Sequence, residues 1–209
     1  MLYTILSALI SYLLGSIPFA IIITRLVKGV DVREYGSKNA GATNVYRVAG
    51  LKVAMLVGLL DLTKGFVAVF FVTKIFSNTD PVTFLQLQII CAIAVVLGHM
   101  LTIFASFKGG KGVLAAAGAF LALLPAEVGI AFGLFIIIVA FTRYVSLGSI
   151  SAAAFISLAV LIEKYLLNKN IAPEKIVLSV IITIVVVIAH SSNIKRLISG
   201  NENKVGKKS

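Results

Sequence analysis

Two short polar stretches carry residue types that can hold an anion. The first, EYGSKNAGATNVYR, occupies residues 34–47. Gly36 and Gly41 permit positive φ, which lets consecutive backbone N–H groups aim at one negative group. Ser37, Asn39, Thr43 and Asn44 add neutral donors, and Arg47 can grip a phosphate through two N–H groups. A helix starting near Thr43 would point its N-terminus at the same place. The second stretch, FKGGKG at residues 107–112, sets Lys108 and Lys111 around Gly109, Gly110 and Gly112 where another helix begins. It is not a Walker A loop, because Lys111 is followed by Gly112 rather than by Ser or Thr. A plainer reading stands beside each. The first could be a loop closed by a Thr or Asn cap, the second a membrane-flanking turn with snorkelling lysines. Two such loops on one face favour a phosphate site more than either does alone.

Further polar residues interrupt the apolar runs. HSSNI places His190 at the end of such a run with Asn193 close by. A histidine can act as base, donor or orienter, and at a helix end a structural donor is the plain alternative. Ser146 and Ser149 fall in the interhelical stretch TRYVSLGS, residues 142–149, where ordinary caps would also explain them. His99 lacks the acid of an H-x-x-x-x-D motif and reads as structural. Asp61 and Lys64, at i and i+3 within an apolar run, share one helix face and can pair. That pair is left outside the core site. No paired carboxylates at metal-holding spacing and no metal-ligand cluster are visible. Cys91 is the only cysteine, so an intramolecular disulfide is excluded.

The elements that must position these residues are membrane spans. The 209 residues are 59% hydrophobic and only 13% charged, against about half and a quarter for soluble domains. Apolar runs reach or approach the ~20 residues needed to cross a bilayer. No polar stretch leaves room for a separate soluble domain, so residues 1–209 read as one membrane domain, with a basic tail at 194–209. The first basic residue is Arg25, which suits an uncleaved first span. Spans are expected at residues 2–24, 51–75, 84–104, 150–167 and 176–189, with turns at 77–83 and 168–175. Pro125 and Glu127 divide residues 113–141 into two short apolar pieces, either one kinked crossing or a hairpin of two. Small residues at 115–118, Gly129 with Gly133, and 151–154 would let such helices pack closely.

Charge chooses between those alternatives, since Lys and Arg favour cytoplasmic loops. With the hairpin there are seven crossings and the N-terminus lies outside. The net charge of +11 then falls on the inner face and the outer face is balanced. A single crossing at 113–141 would send the basic tail outside. Seven transmembrane helices, N-terminus out and C-terminus cytoplasmic, are therefore expected, with all the unusual polar segments at the cytoplasmic surface.

In order along the chain, GSKNAGATNVYR, DLTKG, GHMLTIFASFKGGKG, YVSLGS and HSSNIKRLISGNENK resemble the bacterial acyl-phosphate:glycerol-3-phosphate acyltransferase family over nearly the whole length. The resemblance implies a seven-helix enzyme of the bacterial inner membrane with its site facing the cytoplasm. It implies transfer of a fatty acyl group from acyl phosphate to the first hydroxyl of glycerol 3-phosphate. The products would be lysophosphatidic acid and phosphate, in the first step of phospholipid synthesis. No metal, cofactor or nucleic acid is implied. By position, the loop of Gly36, Ser37, Asn39, Gly41, Thr43 and Asn44 would cradle a phosphate of the acyl donor. Arg47, Lys108, Ser146, His190 and Asn193 would hold glycerol 3-phosphate and the reacting centre. Gly109, Gly110, Lys111, Gly112 and Glu202 match family positions too.

Such chemistry suits these residues. Acyl phosphate is a mixed anhydride whose phosphate already leaves well, so no acid is needed at that oxygen. Neutralising two phosphates, aligning the hydroxyl and excluding water are what remain, and orientation can supply up to ~7–11 kcal/mol. Direct attack without an acyl-enzyme is expected, with the proton passing to His190 or to a donor phosphate oxygen. A small organic-anion transporter would also use basic glycine-rich loops. Transporters, however, often show internal repeats and midplane sites, and no clear repeat is seen here. A structural membrane protein with lipid-binding basic loops is the remaining alternative.

Overall fold

The computed structural model describes residues 1–76 and 84–206, and every regular element among them is helical. The expected turn at 77–83 and the last residues of the basic tail lie outside the described residues. The chain forms two compact units, Met1–Leu123 and Leu124–Ser209.

In the first unit α1 (Leu2–Ser16) and α2 (Phe19–Lys28) together make one candidate crossing of 27 residues. The expected single helix is broken inside. Pro18 drives Ile17 out of the helical region, to φ −62° and ψ 113°. The break turns two carbonyls out of the helical pattern, and side chains from elsewhere in the unit meet them. The Thr102 hydroxyl donates to Ser16 O, and Lys64 Nζ donates to Ile17 O at 2.9 Å. In hydrocarbon such groups have no water to fall back on.

A short α3 (Ala42–Ala49) leads through Gly50 into α4 (Leu51–Val67). That helix continues through a π-helical stretch, Ala68–Val72, into α5 (Thr73–Phe76). Then come α6 (Phe84–Met100) and α7 (Val113–Leu123). Reciprocal glycines bring these helices into backbone contact. A Cβ at Gly15 of α1 would fall 2.2 Å from Val95 O of α6, and one at Gly98 the same distance from Tyr12 O. Between α4 and α7, Gly65 and Gly118 lie so close to Ala115 O and Leu62 O that a Cβ would sit at 2.0 and 1.9 Å. Packing of this kind replaces the hydrophobic effect as the helix-pairing force within lipid.

The two polar loops are pegged into this unit by small apolar side chains. Val32, Ala40 and Val45 from the first loop and α3, and Ala105 from the second, share a core cluster with Ala20, Ile21, Ala54 and Val57. Val32 and Val45 are fully buried. Each such side chain stabilises by about 1.5–3 kcal/mol.

In the second unit α8 (Pro125–Thr142) begins with Pro125 at its first position, where the missing N–H costs nothing. It ends at Arg143, which takes a left-handed conformation at φ 63°. Next come α9 (Val145–Tyr165), α10 (Pro173–Ala189) and α11 (Ser191–Ile198). Ser157, Thr183 and the Ala153 carbonyl form 2.8 Å hydrogen bonds between α9 and α10. The α9 helix begins earlier than the sequence suggests, so Ser146 lies in its first turn and Ser149 one turn on, and neither is in a loop. Arg143 reverses the chain so sharply that only it and Tyr144 are left between the helices. Gly129 and Gly133 also depart from expectation: a Cβ at either meets nothing within 4 Å, so they mark no close packing.

Among the described residues five helical stretches are long and apolar enough to cross a membrane, or six if α10 and α11, bent by 62° at their junction, count together. The separation at Pro125 is present, and it leaves α7 as an apolar helix of 11 residues. At 1.5 Å per residue α7 covers only about half of a ~30 Å hydrocarbon core.

Candidate active site

The first loop is built around one buried asparagine. Asn44 accepts the Ser37 N–H at 2.9 Å and donates to Val32 O at 2.8 Å and Tyr35 O at 3.0 Å. Both of its N–H groups are thus spent on the loop's own backbone, and Asn44 shapes the loop. Gly36 is required beside it, since it sits at φ 57° and a Cβ there would lie 2.3 Å from Asn44 Oδ1. The Arg47 side chain flanks the same point, with Cδ 3.8 Å from that Cβ position. Gly41 does not take the positive φ expected of it. It is extended at −141° and caps α3 with its carbonyl, which accepts from Asn44 and Val45. Lys38 takes the left-handed position, at φ 58°. No side-chain cap closes α3, so the first-turn N–H groups of Ala42 and Thr43 have no carbonyl one turn back. Asn39 and Thr43 are half-buried, and Ser37 is exposed.

The second loop lies against the end of α6. Lys108 N–H donates to Ala105 O, Gly109 N–H to Met100 O at 3.0 Å, and Gly110 N–H to His99 O at 3.1 Å. Those N–H groups therefore do not form the anion cradle suggested by the sequence. The glycines serve close approach: a Cβ at Gly109 would sit 2.0 Å from His99 O, and one at Gly110 would sit 2.2 Å from His99 Nε2. Gly112 is left-handed at φ 79°, and Lys111 beside it is half-buried. Lys108 is exposed. A cleft of about 490 Å³ opens between the loops, lined by Asp31, Arg33, Glu34, Lys38, Ser106, Lys108 and Gly109.

Arg33 joins the loops. It meets both oxygens of Asp31, at 3.1 and 2.8 Å, and donates to Ala105 O at 3.0 Å. Arg25 adds a 2.8 Å contact to the same carboxylate. The Arg33 hydrogen bonds outweigh burial and hold the Asp31 carboxyl down at about 2. Sequence reasoning missed this hub, although the spacing of DVRE, residues 31–34, carries an i, i+2 acid–base pair.

In the second unit the hub is Glu202. Its Oε1 accepts from Ser146 Oγ at 2.9 Å and from Asn193 Nδ2 at 2.6 Å, and its Oε2 accepts from Arg196 Nε at 2.8 Å. Burial pushes the Glu202 carboxyl up, but the donors of Asn193, Ser146 and Arg196 prevail and hold it below the usual range. Val205 N–H donates to Arg143 O at 2.9 Å and ties the following chain to the α8–α9 turn. His190 stands at the bend between α10 and α11, buried, with Nδ1 2.8 Å from Val186 O. A carbonyl there can only accept, so Nδ1 carries a proton, and in the neutral ring Nε2 carries the lone pair. Ser149 donates back to Val145 O at 2.9 Å within its own helix. Ser146, Asn193 and Glu202 are thus brought together as a set, and Arg196, missed in the sequence, completes it. The signal for Arg196 was its i+3 placement from Asn193 on one helix face.

Residues 5–200 match the family model of glycerol-3-phosphate acyltransferase. Glycerol-3-phosphate acyltransferase of Chlorobaculum tepidum is 37% identical over 94% of both chains. Glycerol-3-phosphate acyltransferase 2 of Bacillus anthracis is 40% identical, covering 96% of this chain and 98% of that one. Among solved structures, PlsY (YgiH), an integral membrane glycerol 3-phosphate acyltransferase, superposes in its glycerol 3-phosphate form with a TM-score of 0.85 and 36% identity. That match covers 97% of this chain and 96% of the other. The lysophosphatidic acid form of the same protein gives a TM-score of 0.83. Matched by the family model over residues 5–200 and similar over nearly its whole length to these enzymes and to integral membrane PlsY, the chain belongs to the glycerol-3-phosphate acyltransferase family.

Proposed function

We propose that the chain transfers a fatty acyl group from acyl phosphate to the sn-1 hydroxyl of glycerol 3-phosphate. The observation that carries this reading is its similarity, across nearly its whole length, to PlsY solved in a glycerol 3-phosphate form. The hydroxyl oxygen attacks the acyl carbon, the bond from that carbon to the phosphate oxygen breaks, and inorganic phosphate leaves. Lysophosphatidic acid is the acylated product. No acyl-enzyme forms, because the donor is already activated.

Ser37, Asn39, Thr43 and the open N–H end of α3 receive a phosphate of the donor, in a loop whose shape Asn44, Gly36 and Gly41 set. Within the first unit Arg47 and Lys108 are the cations that bind substrate phosphate, and within the second unit Ser146, His190 and Asn193 are the polar groups that bind substrate. Lys111 adds positive charge, and Glu202 orients Ser146 and Asn193. The Nε2 lone pair suits His190 to accept the hydroxyl hydrogen, with a donor phosphate oxygen as the other acceptor. Fixed donors around developing charge contribute about 3–4 kcal/mol each. Residues 1–209 act as one acyltransferase domain with seven crossings of the bacterial inner membrane. Its N-terminus is outside, its tail and polar loops are cytoplasmic, and α7 is the short crossing. No metal or cofactor takes part.

The test is purified protein given acyl phosphate and glycerol 3-phosphate. Phosphate and lysophosphatidic acid should appear in equal amounts, and only when both substrates are present. Phosphate without the acylated product would make the protein a hydrolase. Neither product would end the reading.

A further inference from the structure

Asp61, Lys64 and His99 look from the sequence like a structural pair and a structural histidine, yet they meet directly beneath the polar loops of the first unit. All are buried, at 1%, 3% and 7% exposure. Lys64 Nζ lies 2.9 Å from Asp61 Oδ1, and His99 Nδ1 lies 3.4 Å from the same oxygen. The other ring nitrogen of His99 abuts the second loop: a Cβ built on Gly110 would be 2.2 Å from Nε2 and 2.7 Å from Ala40 O of the first loop. The His99 carbonyl also takes the Gly110 N–H, so one residue holds this loop by its ring and by its backbone. A cavity of about 10 Å³, the size of one water, lies between this trio, Ala40, Gly109 and Gly110.

A fold has little reason to keep charge here. Intramembrane charge is costly, and a buried ion pair gains little over apolar side chains of the same shape. Lys64 does meet the Ile17 carbonyl left by the Pro18 break, which accounts for one cation but not for the carboxylate or the imidazole.

We propose that Asp61, Lys64 and His99 are positioning residues. Lys64 fixes Asp61, Asp61 orients the imidazole, and His99 sets the backbone of Gly109 and Gly110 and through it the Lys108 ammonium. The inference rests on the reading of Lys108 as a cation that acts on the charge developing at the reacting centre, where its displacement is felt in the transition state.

The test compares His99→Ala, and the charge-neutral double variant Asp61→Asn with Lys64→Met, against wild type. Steady-state kinetics on both substrates and a melting temperature are measured for each. The double variant leaves no lone charge in the bilayer, so it keeps the test open should a single variant fail to fold. Displacement of a catalytic group costs about 10- to 100-fold in rate. That loss should appear in kcat per folded protein, with KM for each substrate within about twofold of wild type. His99→Asn, which keeps a donor near the Nδ1 position, should recover part of the rate. Full kcat in folded variants overturns the proposal, whether melting temperature falls or not. So does a raised KM at constant kcat, which would make the trio a binding element. If wild type forms no acylated glycerol phosphate, the parent reading fails first and this one falls with it.

Discussion

Asp31 gathers two arginines, and one of them, Arg33, also holds the carbonyl of Ala105 in the other loop. Its carboxyl is held at about 2, against about 3.9 for a free aspartate. A folded value below the unfolded one means stability that is complete above about 4 and disappears as pH falls toward about 2. The gap in melting temperature between wild type and Asp31→Asn should therefore be constant from neutrality down to about pH 5 and close below that. A gap that held at its neutral value down to pH 2 would remove the ion pair from the account. The identities of Asn44 and Glu202 were legible as polar residues in short motifs. Their directions were not. Asn44 reaches back to Val32, and Glu202 to Ser146, 56 positions away. Local spacing cannot encode closures set by the packing of whole helices.

Helix boundaries follow from single residues with special backbones, and some of these were easier to read than others. Pro125 announces a break, and the chain breaks there. Pro18 breaks the first run as surely, but the apolar run continues on both sides and hides it. Arg143 gives no warning at all, because nothing about an arginine predicts left-handed φ, and so the start of α9 was read too late. Glycines divide in the same way. Gly118 lies against the α4 backbone, whereas Gly129 faces open space, although both occur in small-residue stretches. Gly118→Ala should cost about 1–3 kcal/mol by forcing α4 and α7 apart. Gly129→Ala should leave the melting temperature unchanged or slightly higher, as alanine favours the helix by up to about 1 kcal/mol. Thermal unfolding in detergent would separate them, and equal effects would contradict the reciprocal glycine contacts.

For the whole molecule, membrane class and family were open to reading because they rest on composition and on ordered motifs, which need no tertiary contact. Crossing number is harder, since α7 is too short to declare itself. The seven-crossing arrangement can be tested by labelling with a membrane-impermeant maleimide. In a Cys91→Ser background, Lys169→Cys should react in intact cells, and Lys204→Cys only after the membrane is opened. The opposite pattern would invert the topology. Glu202 adds a constraint in time. A ribosome makes Ser146 56 residues before Glu202, which follows every described helix in the order of synthesis. The cluster around that carboxylate can close only after the membrane segments have been delivered. A chain cut short at Gly200 would keep every described helix and still lack the acceptor that its serine, asparagine and arginine share, so the last carboxylate to be made is the one that closes the cluster.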